Sequence, residues 1–430
     1  MIRYIRQVIF ELRNHPLMTW VSVSGTALAI FLIMAVFMSE RVKTVEMTPE
    51  SNRNRILIGQ GIHIFFQDNE NGSMMEFSRN LAEKLYSNLE GIETISYINR
   101  WFDNSDVTID YKRNINLTPM GVDEEFWKIY DFKFIEGRPF TKEEAESRKF
   151  VVIPKQVART LFGEEKVAGK TIMVDDMPKT VSGVIEDVHP LLSMGQVGLF
   201  LGISILHYKD YDKIWGNFNT ILLMKPGVEA SQIKKEVENR YNLVNRELAA
   251  ENVNIQYHKQ PYTALEMGVG DFGSNNGPDI ESHNKVLWIT YSILILLPAI
   301  NLSSMTRSRL RRRVSEIGLR RAFGARKRDI IGQIFTENLI ITLIGGIIGL
   351  VVSLLFFVTI SQYFFIEMNQ SSVTELAEVN IMPVLSGLFD WRTFFITFGL
   401  CFVLNILSAT VPAWQASRVE PSVAISKSKL

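Results

Sequence analysis

The chain has 430 residues, 47% of them hydrophobic, and its 46 Lys and Arg balance 46 Asp and Glu to a formal net charge of zero. A chain without net positive charge lacks the field that nucleic-acid binding needs, which excludes a nucleic-acid partner. The single cysteine, Cys401, excludes an intramolecular disulfide framework, so any domain outside the cytoplasm must be held by its core.

The first segment, residues 1–16, places Ile2, Ile5, Ile9 and Leu12 at helical spacing and Arg3, Arg6 and Arg13 elsewhere. This predicts a cytoplasmic amphipathic helix lying on the inner membrane surface. It feeds the first of four charge-free apolar windows, at 14–39, 286–306, 338–366 and 393–417. Each exceeds the roughly 20 residues a helix needs to cross about 30 Å of hydrocarbon, so transmembrane helices are expected over 17–39, 286–306, 338–366 and 393–417. The first window is longer than the apolar part of a signal peptide, and Ser39-Glu40-Arg41 lacks the small residues of a cleavage site. An uncleaved anchor is therefore expected.

Between the first two windows, residues 40–285 alternate between strand and helix periods. A strand is predicted over 56–66, interrupted at its glycines, then a helix over 77–89 and a strand over 93–98. The order recurs as a strand at 220–224, a helix at 230–248 and a strand at 253–257. Two βαβ-like units at opposite ends are expected to pair as one subdomain, with the middle, about 120–215, inserted as a second. That middle part reads as a strand at 150–153, a helix at 156–162 and a strand at 171–174. The pair Asp175-Asp176 then turns the chain into a strand at 180–185. Residues 48–52 and 267–284 are expected to be flexible tethers to the first two spans.

Two motifs in this segment imitate phosphate-binding loops. Gly268, Gly270 and Gly273 fit G-x-G-x-x-G, but Ser-Asn-Asn-Gly-Pro follows where a helix should open, so a linker is expected. Residues 163–171 have one residue too many for a phosphate-binding loop, and Glu164 and Glu165 would repel phosphate. The six histidines, at 15, 63, 189, 208, 258 and 283, show no ligand spacing. Glu186, Asp187 and His189 make an acid–base cluster that a strand end explains as well. The sequence predicts no catalytic, cofactor-binding or metal-binding residue. The absence of Asp, Glu, Lys and Arg from the centres of the windows argues against a proton relay or a secondary transporter.

Residues 307–337 decide orientation. From position 307 to 329 there are ten Lys or Arg against Glu316 and Asp329. Each basic side chain at the bilayer centre costs about 2.5–3.5 kcal/mol, so this loop faces water, and its positive charge marks that water as cytoplasm. Arg3, Arg6 and Arg13 before the first window, and Arg418, Lys427 and Lys429 after the fourth (in the 418–430 tail), agree. The 367–392 connection instead carries Glu367, Glu375, Glu378 and Asp390 against Arg392. Both termini are thus expected in the cytoplasm and 40–285 outside. Within the loop, 316–323 is predicted to be a short helix with Ile317 and the stretch Leu319 to Phe323 presenting apolar surface, ended by Gly324-Ala325. Its basic residues suit anionic lipid heads; the embedded apolar ones favour docking of a partner. In the third window Gly345, Gly346 and Gly349 form a small-xxx-small pattern expected to pack on another helix, in this chain or in a second copy. In the second window Pro298 is expected to kink the helix, and Asn301 needs a polar partner.

With these residues in view, the chain resembles the MacB/FtsX family of ABC transporter permeases. The run Glu316, Ile317, Gly318, Leu319, Arg320, Arg321, Ala322, Phe323, Gly324 and Ala325 looks like the family's cytoplasmic signature, and the glycines of the third window sit where the family places its own. Gly137-Arg-Pro-Phe140, Leu161-Phe-Gly163 and Gly169-Lys-Thr-Ile172 look like the periplasmic core domain, and Pro412-Ala-Trp like the C-terminal end. The resemblance implies an α+β membrane protein in the cell inner membrane, with four transmembrane helices and a large extracytoplasmic domain between the first two. It implies mechanotransmission: residues 316–325 would contact a cytoplasmic ABC ATPase, whose ATP-driven motion would pass to the periplasmic domain to drive export. ATP would be bound and hydrolysed on that separate partner, because no phosphate-binding loop occurs in this sequence. The family further implies a dimer with a second permease copy or homologue, a periplasmic adaptor and an outer-membrane channel. Its alternative role is FtsX-like regulation of an extracytoplasmic cell-wall hydrolase.

Overall fold

The computed structural model describes residues 16–66, 72–100, 104–111, 114–189, 192–203, 214–270, 277–312, 314–368 and 390–417. The expected amphipathic helix before residue 16, most of the 367–392 connection and the tail after 417 lie outside the described residues. The chain divides into two compact units, one of Met1–Glu40, Ser282–Thr359 and Phe389–Leu430, the other of Arg41–Glu281 and Ile360–Leu388.

The second unit is mixed α/β. Its strands are β1 (Ile56–Gly59), β2 (Ile62–Phe66), β3 (Ser73–Phe77), β4 (Ile92–Arg100), β5 (Ser105–Thr108), β6 (Asn114–Leu117), β7 (Pro119–Val122) and β8 (Phe134–Gly137). After these come β9 (Phe150–Pro154), β10 (Thr171–Val174), β11 (Met177–Ile185), β12 (Leu199–Gly202), β13 (Trp215–Gly216), β14 (Asn219–Met224), β15 (Val253–Gln256) and β16 (Tyr262–Thr263). The larger sheet runs β16-β1-β14-β4-β7-β12-β9-β11-β10-β5-β6, with β8 on β11; the smaller runs β13-β3-β2-β15.

The predicted 56–66 strand is thus two strands in different sheets. A Cβ at Gly61 would lie 2.3 Å from the Met75 carbonyl oxygen, and one at Gly59 would lie 2.8 Å from the Tyr86 ring. Only glycine lets the chain pass between these neighbours as it changes sheet. The two βαβ-like units do not sit side by side. β14 of the second inserts between β1 and β4 of the first, antiparallel to both.

β1 is apolar at successive positions because both of its faces are covered. Leu57 joins Leu81, Leu85, Tyr86, Leu222, Ile233 and Val237, a core closed by the helices Arg79–Tyr86 and Ala230–Ala249. Ile56, on the opposite face, joins Ile98, Val122, Phe126, Phe200 and Ile221 beneath the short helix Phe126–Ile129. A third core lies where the helix Lys155–Phe162 packs Val157 and Leu161 against Val151, Ile172 and Val181. Gly163 ends that helix at φ +76°, and Asp175 and Asp176, at φ +48° and +62°, make the two-residue hairpin between β10 and β11.

The structure qualifies two expectations. The strands of the middle, β7, β9, β11 and β12, do not form a sheet of their own but continue the sheet begun by β1, β14 and β4. Neither tether is simply flexible. Glu50 is buried, and its carboxylate accepts from the Ser193 hydroxyl at 2.6 Å and the Met194 amide at 3.0 Å; Asn52 donates to the Ile129 carbonyl. The 267–284 stretch begins inside a helix, Ala264–Val269, whose Thr263–Glu266 capping box satisfies its first amides, and it ends in a long helix starting at Ile280. Residues 271–276 lie outside the described residues.

The other unit holds the long helices Pro16–Val42, Ile280–Arg312, Lys327–Met368 and Trp391–Ser417, and the short helix Val314–Ala322. Among the described residues, Thr19–Val42 and Lys327–Phe357 are long and apolar enough to cross a membrane. Pro298 and Asn301 lie inside the second long helix, with side chains outside the described ones.

Asp123 gives a test of the mixed α/β unit. It is buried, accepting the Ser96 hydroxyl at 2.7 Å, the Tyr97 amide at 2.8 Å and the Phe126 amide at 3.1 Å, so one carboxylate ties β4 to the helix after β7. Burial pushes its pKa up to about 6, against the opposing pull of those three donors. A carboxyl raised in the folded state adds stability below its unfolded value of 3.8, and that stability is lost as pH rises through about 6. Asp123→Ala is expected to destabilise by about 1–3 kcal/mol, the cost of leaving buried donors unpaired. Thermal unfolding of the purified protein should also show that the variant lacks the wild-type decline between pH 4 and 6.

Candidate functional site

The helix Val314–Ala322 joins the second and third long helices, and it holds seven of the ten residues of the cytoplasmic signature within its bounds. Ile317 and Gly318 are buried, Ile317 at 8% exposure. Leu319 is 48% exposed and Phe323 85% exposed, one turn apart on the other side. Inward apolar residues therefore seat the helix, and an apolar knob of Leu319, Ala322 and Phe323 is left facing out.

Arg320 fixes the helix in place. Its guanidinium donates to the Glu316 carboxylate one turn back and to the Gln333 side-chain oxygen at 3.0 Å on the next helix. Thus Glu316 positions Arg320, and Arg320 clamps the short helix to the long one. The helix also touches the last long helix. Arg321 lies in the helix, its side chain outside those described. Gly324, at φ +95°, stops the helix, and the Ala325 amide closes back on the Arg320 carbonyl at 3.0 Å, a glycine-terminated C-cap. The chain re-enters helix at Lys327, where Asp329 accepts from the Arg326 amide at 3.0 Å in the first turn.

The glycines of the third long helix serve packing within the chain. A Cβ at Gly345 would lie 2.8 Å from Thr26, one at Gly349 would lie 2.5 Å from the Ala27 carbonyl oxygen, and one at Gly346 would lie 2.7 Å from the Phe398 ring. The third long helix thus lies against the first on one side and the last on the other. Around this contact Ile30, Ile33, Met34 and Phe394 form the core of the unit. At its end, Glu40 of the first helix meets the His283 ring of the second at 2.9 Å.

Sequence reasoning did not find the cavity of about 720 Å³ in the mixed α/β unit. Ile56, Ile58, Ile98 and Ile221 line it, together with Met74, Met75, Met194 and Met267. Glu76, held by the Asn219 amide at 2.9 Å, is among its polar groups. Methionines gathered from three separate segments carry no local signal. Among the described residues no group of three or more His, Cys, Asp or Glu is arranged to hold a metal ion.

The packing contact predicts different outcomes for different glycines. Gly349→Leu should push the first and third long helices apart, lowering the melting temperature in detergent by several degrees and reducing the folded yield. Gly332→Ala and Gly399→Ala, which meet nothing within 4 Å, should leave both unchanged.

Comparison with known proteins divides the chain into two matched regions. Residues 19–240 match the MacB-like periplasmic core domain, and residues 288–421 match the FtsX-like permease C-terminal region. The chain is 24% identical over 312 residues to the macrolide export ATP-binding/permease protein MacB of Escherichia coli K12, covering 71% of this chain and 43% of that protein. It is 22% identical over 318 residues to the pyoverdine export ATP-binding/permease protein PvdT of Pseudomonas syringae pv. syringae, covering 71% and 42%. The chain therefore spans less than half the length of these curated relatives. The periplasmic region of MacB from Actinobacillus actinomycetemcomitans is 17% identical, with a TM-score of 0.35 over 50% of this chain and 91% of that one.

Proposed function

We propose that this chain, which belongs to the MacB/FtsX-type family of ABC transporter permeases, passes ATP-driven motion from a cytoplasmic ATPase to an extracytoplasmic domain and so drives export. The observation that carries the reading is the pairing of the two family regions with the helix Val314–Ala322. That helix presents Leu319 and Phe323 outward while Arg320 anchors it to the next long helix. An exposed apolar knob on a clamped helix is suited to receive a push, because the clamp keeps the helix from yielding on its own.

In this reading all four long helices span the inner membrane. The second and fourth carry the charge-free windows 286–306 and 393–417, and the basic 307–337 loop sets both termini in the cytoplasm. Nucleotide chemistry belongs to the ATPase, which docks on residues 316–325, and the permease works as a dimer with a periplasmic adaptor and an outer-membrane channel. The cavity bounded by methionines falls within the 300–1,000 Å³ usual for small-molecule sites, which supports an amphipathic apolar cargo over a bulk polymer.

Affinity purification of the tagged protein from membranes tests this. An ATPase and a periplasmic adaptor should accompany the wild type. Phe323→Asp should lower recovery of the ATPase about tenfold or more, since burying a phenylalanine is worth about 1.5–3 kcal/mol. Gly324→Leu, forced into a left-handed backbone, should also lower it, with membrane insertion of both variants intact. Unchanged recovery would remove the docking role. Recovery of a cell-wall hydrolase in place of the adaptor would favour the regulatory alternative.

A further inference from the structure

Three side chains with soft or borderline donor atoms line one small cavity in the mixed α/β unit, away from the 316–325 segment. The His63 Nδ1 and His258 Nε2 atoms face each other at 2.7 Å, with the two rings perpendicular. Met74 is the cross-strand partner of His63 in the β2–β3 ladder, so the two project from the same face of the sheet. All three line one small cavity, which Gln260 and Glu266 also border.

The surroundings hold this arrangement in place. His258 has φ +52°, in the left-handed region, where a non-glycine residue stays only if its neighbours hold it. The Tyr262 hydroxyl donates to the His258 carbonyl at 3.1 Å, and a Cβ at Gly277 would lie 2.8 Å from the same oxygen. The Gln260 side chain bonds both the Gln60 amide and the Gly61 carbonyl, fixing the loop after β15 to the start of β2. Of the two facing nitrogens, one carries the shared hydrogen and the other accepts it through its lone pair. Glu266 does not supply a hard donor, because its carboxylate takes the Lys234 ammonium and the Thr263 amide and hydroxyl.

From this geometry we infer that His63, His258 and Met74 form a binding site for a soft monovalent metal ion of the copper(I) or silver(I) type. Two imidazoles and a thioether with no carboxylate select such ions over Zn²⁺, Mg²⁺ and Ca²⁺. With metal–nitrogen bonds of about 2.0 Å, the facing nitrogens need to part by less than about 1 Å. The proton now shared between the rings moves to the far nitrogen of its own ring. The ion takes its place in the gap, with no net proton release. Met74, 44% exposed, swings its sulfur over the same gap without disturbing the core. The site uses no residue of the helix Val314–Ala322, and of its three ligands only Met74 also borders the larger cavity.

The test is anaerobic copper(I) competition against bicinchoninate, using the purified full-length chain on a Cys401→Ser background to remove its one thiol. One copper(I) should resist transfer to the competitor, and excess Zn²⁺ should not displace it. X-ray absorption at the copper edge should show two nitrogen neighbours and one sulfur. His258→Ala should abolish that binding. Met74→Leu, at an exposed position that leaves folding intact, should weaken it roughly tenfold or more, the loss usual even for supporting residues around a metal. Equal retention of copper by parent and Met74→Leu, displacement by Zn²⁺, or a copper edge without the two-nitrogen, one-sulfur set would each overturn the assignment.

Discussion

The contact between Gly349 and the Ala27 carbonyl oxygen sets the terms for the helical unit. Backbones that close leave no room for a side chain. The attraction between the two helices then comes from many short dispersion contacts and not from apolar burial, which lipid would supply equally. Such a contact is stiff in one respect: it has no long side chains that could repack if the helices slid apart. Gly345 and Gly346 extend the same close fit to Thr26 and Phe398, so the first, third and fourth long helices act as one packed body.

That stiffness matters because the short helix Val314–Ala322 is clamped to this body. Arg320 bridges Glu316 and Gln333, and Ile317 is buried beneath. A force on Leu319 and Phe323 is then borne by the long helix that begins at Lys327, not absorbed in a loose loop. The mixed α/β unit is comparably built. Twelve of its strands form one continuous sheet, covered on both faces where β1 and β14 run, and Asp123 locks a helix to that sheet with three hydrogen bonds. The segment at 48–52, expected to hang loose, is tied into the core through the buried Glu50 carboxylate.

The MacB/FtsX assignment and these local clamps are the two observations on which the proposed transmission of motion rests. The Met-walled cavity and the His63–His258–Met74 cluster lie in the mixed α/β unit, and both depend on residues brought together from distant parts of the chain. His63 and His258 are 195 positions apart, so no spacing rule could have paired them.

Much of the fold was legible from residue order. Period-2 and period-3.6 patterns placed the long helices and about half of the strands, since burying one face imposes its repeat on the sequence. The glycines near 59–61, Asp175-Asp176 and Gly324 marked the break, the hairpin and the helix stop, because positive φ or close approach restricts those sites to a few residue types. The run from Glu316 to Ala325 and the glycine pattern at 345–349 were legible for the same reason. What residue order left open is which strand lies beside which, since a strand's pattern records that it is covered but not by what. Only the tertiary structure put β14 between β1 and β4, merged the middle segment into the same sheet, fastened the supposed tethers and brought two distant imidazoles within 2.7 Å. Those outcomes are contacts between segments far apart in the chain, and contacts of that kind leave no periodic mark on either partner.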